Sequence, residues 1–285
     1  MAVKLITDST SDIDRQTQAQ LDITVIPLSI HFPDESFIDG QIELDYFYQK
    51  LKSSPVIPTS SQPPQGKIQA AFEQLVAKGH DIVAIFLSSK ISGTYETALA
   101  AKKAVLRKYS GAKIAIFDSL NTAMAVGYPV IEAAKQAQAG KSFTEIYNIA
   151  QHLLANMRLY FIPATFEYMH KGGRIGGAAA LMGSILDIKP VLYFADGVTS
   201  VAKKVRTMRR AIRHMLGLLE ADAQAHGLRA VIVQHISNLS QAQTLTKIIR
   251  KKYGLRPPIV PVGPIVGLHS GPGVIAVVYC LAKDN

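Results

Sequence analysis

Between residues 3 and 139, short apolar runs of strand length alternate with longer segments whose apolar residues recur every three or four positions, and that alternation leaves few folds open. Val3–Ile6 runs into Asp8-Ser9-Thr10, where Ser11 or Asp12 is placed to cap a following helix. Ile23–Phe32 alternates as one strand, Leu44–Leu51 reads as a helix, and the proline- and serine-rich stretch Ser53–Pro64 is too irregular for either. Gln65–Ala77 then carries Ile68, Ala71, Phe72 and Leu75 at helical spacing. Asp81–Leu87 is a continuous apolar strand, Thr94–Arg107 a helix, Ile114–Phe117 a strand and Ala123–Ala139 a helix. Strands joined by helices of this length predict a parallel sheet covered on both faces.

The rhythm changes after Gly140-Lys141-Ser142 opens the amphipathic helix Phe143–Met157. Tyr160–Pro163 is a strand, His170–Gly177 a glycine-rich loop and Ala178–Leu186 a small-residue helix. Val191–Phe194 and Val198–Val201 flank Asp196-Gly197, a two-residue hairpin signal, so this half contains an antiparallel pair. Arg209–Glu220, Ala230–His235, Gln241–Lys252, Ile259–Val262 and Val274–Leu281 complete a mixed unit. A chain of 285 residues exceeds the usual single domain. The predicted fold class is therefore two-domain α/β: a parallel-sheet domain over residues 1–157 and a mixed-sheet α/β domain over residues 158–285.

Composition removes several function classes. Hydrophobic residues make up 48% of the chain and charged residues 18%, which excludes a disordered protein. Cys280 is the only cysteine and lies in an apolar run, so the expectation is a core thiol and no intramolecular disulfide. With no basic-then-apolar leader, and no apolar stretch near the roughly 18 residues of a membrane span, a soluble cytoplasmic protein is expected. The net charge of +10 invites an acidic partner. Lys247, Arg250, Lys251 and Lys252 suit the negative end of a helix dipole, whereas Lys203, Lys204, Arg206, Arg209, Arg210 and Arg213 form either a solvated face or a docking patch.

Hydroxyl- and glycine-rich stretches carry whatever chemistry there is: Thr7–Ser11, Thr59-Ser60-Ser61-Gln62-Pro63, Ser88–Thr94 and Gly267–Gly273. Each leaves a strand or opens a helix, where amides and hydroxyls converge on an anion. Taken alone, Thr59-Ser60-Ser61 reads first as ordinary capping and turn chemistry, while Gly93 after Ser92 admits a close backbone approach. No Gly-Lys-Ser/Thr phosphate loop or spaced dinucleotide glycines occur, no Gly-x-Ser-x-Gly surrounds Ser92 or Ser60, and the eight histidines lack metal-ligand spacing. Catalytic residues, a metal and a cofactor are therefore not expected. Asp8 and Asp118 each end a strand and read as helix caps or, alternatively, as paired acids. Arg174 follows two glycines and either presents its guanidinium to an anion or lies on the surface. His269, placed in a loop between two strands, hydrogen-bonds an acid group or a turn carbonyl.

Seven segments in order resemble the DegV family of bacterial fatty-acid-binding proteins: Asp8–Ser11, Ser60-Ser61-Gln62-Pro63, Ile91–Tyr95, Lys171–Ile175, Lys189–Leu192, Lys204–Thr207 and His269-x-Gly271-Pro272-Gly273. The resemblance implies two α/β domains enclosing one long-chain fatty acid, such as palmitate or oleate, in a buried tunnel between them. It implies a lipid-binding accessory protein rather than an enzyme, presenting the acyl carboxylate to a separate fatty acid kinase for acyl-phosphate formation in phospholipid synthesis. The family's head-group threonine falls on Ser60, which keeps the hydroxyl without the methyl, with Thr59 offering a second hydroxyl beside it. By the same resemblance Ser92 binds the carboxylate, and His269 and Arg174 lie near the head group, tied to the carboxyl hydrogen-bond network or to phosphotransfer; the expectation that follows adds the Gly93 N–H as a further donor, His269 as a buttress and Arg174 as a contact for the partner. Two other classes stand against this one: a basic regulatory or nucleic-acid-associated protein, which lacks interleaved aromatics and a helix-turn-helix signature, and a stand-alone enzyme.

Overall fold

The computed structural model describes residues 2–181 and 188–283. Contacts divide the chain into two compact units, residues 1–41 with 60–154 and residues 42–59 with 155–285.

The first unit is built on four parallel strands in the order β2-β1-β6-β7: β1 (Val3–Asp8), β2 (Thr24–Ile26), β6 (Asp81–Phe86) and β7 (Ile114–Asp118). Side chains alternate across a strand, so successive residues feed opposite faces. Leu5, Val83 and Ile85 join Val126, Val130, Ile146 and Ala150 in one apolar cluster, under α5 (Met124–Gln138) and α6 (Phe143–Ala155). Ile6, Ile82, Ala84 and Phe86 join Ile68, Phe72, Ala98, Ala101 and Val105 in a second, under α3 (Gln65–Ala77) and α4 (Thr94–Lys108). The predicted two-sided parallel sheet is therefore present. α6 opens on a capping box, Ser142 N–H and Oγ–H donating to Glu145 Oε2 at 2.9 and 2.7 Å.

Three local expectations change. Asp14, not Ser11 or Asp12, caps α1 (Arg15–Leu21), accepting from Thr17 N at 2.9 Å. Ile23–Phe32 is not one strand: Pro27 has no N–H to continue a ladder, and the segment splits into β2 and β3 (Ser29–His31), which belong to different sheets. β3 lies between β4 (Ser36–Ile38) and β5 (Thr59–Ser61), so part of the presumed Ser53–Pro64 loop is a short strand.

The second unit carries six strands in the order β10-β9-β8-β13-β11-β12: β8 (Met157–Ile162), β9 (Val191–Ala195), β10 (Val198–Lys203), β11 (Leu228–His235), β12 (Ile259–Pro261) and β13 (Ile275–Leu281). Only β11 and β12 run parallel, so the sheet is mixed, as predicted. Asp196 (φ 49°) and Gly197 (φ 84°) both take left-handed geometry, the requirement of the tight turn joining β9 to β10. α8 (Met208–His226) and α9 (Leu239–Tyr253) bury Ala211, Met215, Leu219, Leu245 and Ile249 against Val231, Val277 and Tyr279. Tyr279 keeps its hydroxyl paired by donating to Asp222 Oδ2 at 2.7 Å. Cys280 is buried and forms no disulfide with a described residue.

Residues 42–59 belong to this second unit, which differs from the expected continuous domain over 1–157. The reason is α2 (Leu44–Ser53), whose Tyr48 hydroxyl donates to the Val262 carbonyl at 2.8 Å beside buried Phe47 and Leu51. The expected Ala178–Leu186 helix begins within a 3-10 turn over Gly176–Leu181, and its remainder lies outside the described residues.

Candidate functional site

At the carboxyl ends of the parallel strands in the first unit, backbone amides and hydroxyls are organised by two aspartates. Asp8, at the end of β1, accepts from Thr10 N (2.9 Å), Thr10 Oγ1 (2.5 Å) and, across the sheet, Leu87 N (2.9 Å). Burial raises its pKa, with those hydrogen bonds pulling the other way. Asp118, at the end of β7, accepts from Ser89 N (3.1 Å) and Leu120 N (3.0 Å). The two acids therefore brace neighbouring strand ends. Asp8 caps the 3-10 turn Ser9–Ser11, whereas Asp118 ties its strand to the Ser88 loop instead of capping α5, whose N-cap is Ala123.

That loop is the strand-to-helix turn between β6 and α4. Ser88 is fully buried, its Oγ accepting from Lys90 N at 3.1 Å and its carbonyl from the amides of Ile91 and Ser92 at 3.2 Å. Ser92 Oγ lies 2.9 Å from Thr94 Oγ1 and accepts from Thr94 N at 3.3 Å. Gly93 is the N-cap of α4 and makes no side-chain cap hydrogen bond, so the positive end of a 15-residue helix is not closed by its own cap residue. Open α/β sheets bind ligands at this edge.

β5 carries exposed Thr59 and Ser61 and half-buried Ser60. His31 on β3 spans the three-stranded sheet, its Nδ1 lying 2.9 Å from Ser36 Oγ and its Nε2 2.9 Å from Ser61 Oγ. Immediately beyond β5, Gln62 Nε2 donates to Thr97 Oγ1 at 2.6 Å, and a Cβ at position 93 would stand 2.1 Å from Gln62 Oε1. Sequence reading singles out this motif for its hydroxyls and not for Gln62, whose contacts only the structure shows. In the turn after β4, Asp39 donates its amide to the Leu28 carbonyl at 2.9 Å and accepts from Gly40 N at 3.1 Å. Burial raises its pKa to about 7, opposed by hydrogen bonds from Ser9 and Gly40 and reinforced by the charge of Asp8.

In the second unit, α7 (Glu167–Lys171) ends at Gly172, and Arg174 turns back so that its Nη1 donates to the Gly172 carbonyl at 2.6 Å. The Arg174 carbonyl accepts from Thr199 Oγ1 at 3.0 Å, which ties this turn to β10. His269 is not in a loop as expected. Pro264 at the first position starts α10 (Pro264–Ser270), and His269 lies in its last turn before Gly271. A Cβ at position 172 would lie 2.5 Å from His269 Nδ1, so the ring packs directly on the Gly172 backbone. Burial, and secondarily the charge of Arg174, lowers the His269 pKa to about 4, leaving a neutral imidazole at pH 7.

Among the sequence-predicted residues, Ser60, Ser92 and Gly93 thus belong to the first unit, and Thr59, Arg174 and His269 to the second. Among the described residues no group of three histidine, cysteine or acidic side chains is placed to hold a metal, and no helix is long and apolar enough to cross a membrane.

These features define an α/β protein with a parallel and a mixed sheet and a hydroxyl pair, Ser92 and Thr94, at a helix N-terminus. The family model described as "Uncharacterised protein, DegV family" matches residues 2–282, and the chain belongs to that family. A DegV domain-containing protein of Clostridium acetobutylicum is 40% identical over 284 residues, covering 100% of this chain and 99% of its own length. Among solved structures, DegV of Bacillus subtilis, described as a fatty acid binding protein, matches with a TM-score of 0.87 and 30% identity over 99% of both chains. A fatty acid binding DegV family protein of Streptococcus agalactiae matches with a TM-score of 0.89 and 26% identity over 99% of both chains.

Proposed function

We propose that this protein binds one long-chain fatty acid and holds its carboxylate with the hydroxyls of Ser92 and Ser60 and the Gly93 amide. The observation that carries the reading is the Ser92-Gly93-Thr94 turn: a hydroxyl beside the Gly93 amide, at a helix start whose glycine N-cap has no capping side chain, on the edge where parallel sheets bind ligands. The fatty-acid-binding relatives with which the chain shares its fold support it. For Thr59, Arg174 and His269 the proposal keeps the roles implied by the resemblance, each open to its own substitution.

Magnitudes separate affinity from orientation. About 14 methylenes at roughly 0.8 kcal/mol each favour burial by ~11 kcal/mol before the entropy of association is subtracted. One hydrogen bond to a charged group nets about 1.5–3 kcal/mol. The acyl tail therefore sets retention, and the hydroxyls set which end is presented.

Presentation is to a fatty acid kinase, and the proposed docking element is the start of α8. Lys203, Lys204, Arg206, Arg209, Arg210 and Arg213 are all exposed, and none forms an ion pair with a described residue. The first turn of α8 has no acidic residue, so several of these cations crowd the positive end of a helix dipole. An acidic partner surface offsets that repulsion. The competing reading, a nucleic-acid partner for the same cations, predicts binding to duplex or single strands that weakens steeply with salt.

Native mass spectrometry of protein purified without added lipid is expected to show the mass increment of a fatty acid. Ser92→Ala is expected to retain the lipid and to lose kinase-coupled phosphorylation. An apo protein that also refuses palmitate and oleate overturns the reading.

A further inference from the structure

We infer that Gln62 is a positioning residue for the carboxylate site, locking the strand that carries Ser60 to the turn that carries Ser92 and Gly93; this rests on the fatty-acid reading above. Three observations converge on it. The Gln62 amide nitrogen donates to Thr97 Oγ1 at 2.6 Å, one turn inside α4. Thr97 Oγ1 donates in turn to the Gly93 carbonyl at 3.0 Å, the acceptor that the Thr97 amide also uses at 3.0 Å. The Gln62 carbonyl oxygen occupies the space of a side chain at position 93, only 2.1 Å from where a Cβ would stand.

Gly93 has φ −80°, which any residue adopts, so backbone conformation does not require glycine there. What a side chain there would meet is the Gln62 amide, which it would displace from its place against Thr97. A single side chain thereby closes a ring, Gln62 to Thr97 to Gly93, that fixes two hydroxyl-bearing segments separated by about 30 residues of sequence. Gln62 is itself exposed, so it contributes little to the core, and its removal is a geometric change rather than a cavity.

The test compares a long-chain fatty acid with the primary alcohol of the same chain, oleate against oleyl alcohol, on wild type, Gln62→Ala and Thr97→Val. A positioning role for the carboxylate end predicts about a tenfold loss of oleate affinity in either variant, with alcohol affinity changed less than about twofold. The double variant is expected to be no worse than the single ones, because both cut the same ring. Gln62→Ala is expected to keep the wild-type melting temperature within about 2 °C. Equal losses for acid and alcohol, or no loss for either, overturn the inference while leaving fatty-acid binding intact. A wild type that takes up neither ligand overturns the function on which it rests.

Discussion

The two units solve the same problem with opposite electrostatics. In the first, loops at the sheet edge are pinned by buried carboxyls, Asp8 and Asp39, which among the described residues meet hydroxyls and amides but no cation. In the second, the corresponding cluster is a buried imidazole beside a guanidinium, His269 and Arg174. Burial disfavours the charged form in both places, raising the pKa of the acids and lowering that of the histidine. The difference teaches where each unit is vulnerable: the first to rising pH, the second to falling pH.

The largest effect probes the packing beneath that contrast. Phe72 is fully buried under the parallel sheet, and Phe72→Ala is expected to cost about 3–5 kcal/mol, read as a lower denaturant midpoint. A loss below about 1 kcal/mol would mean that the α3 face is not a packed core.

Next comes the pH contrast. Asp39 keeps its proton to about 7 when folded, against 3.8 in the open chain, so its stabilising contribution is full below pH 3.8 and is lost as pH rises toward 7. Asp39→Asn, which keeps the shape and removes the charge, is expected to stabilise the protein at pH 8 by roughly 3–5 kcal/mol and to flatten this part of the curve. His269 works in the other direction. Its pKa falls from 6.5 to about 4 on folding, so stability is lost as pH drops through that window, by roughly 2–3 kcal/mol, and His269→Gln is expected to remove that loss. Between about pH 4 and 6.5 the two trends oppose each other in wild type, and urea titrations of the two single variants should slope in opposite directions. Variants whose curves parallel wild type would break the comparison.

The smallest effect concerns a helix start. Ser142→Ala removes the capping box of α6 and is expected to cost about 1 kcal/mol, measurable as a shift of a few degrees in Tm.

Much of this architecture was legible because long periodic segments declare themselves. Gln65–Ala77 was read residue for residue, and Asp196-Gly197 announced its hairpin through the two residue types that best tolerate positive φ. The strands of the three-stranded sheet were not legible. β3, β4 and β5 are too short to show a period, and Pro27 merged visually with the alternation on either side of it. His269 was assigned to a loop because glycines surround it, although Pro264 is a strong first-turn residue and marked the helix. At the candidate site, Ser92 and Gly93 stood out through their strand-turn-helix setting. Gln62 did not, because only the three-dimensional approach of its amide to position 93 reveals what it does.

The excursion of residues 42–59 gives the polypeptide three covalent passages from one unit to the other, at 41/42, 59/60 and 154/155. No single nick by a protease therefore sets either half loose. A truncated C-terminal piece starting at residue 155 would lack the helix whose Tyr48 hydroxyl meets the Val262 carbonyl, leaving that acceptor and its apolar neighbourhood bare. Neither unit can be excised as one uninterrupted stretch of the polypeptide.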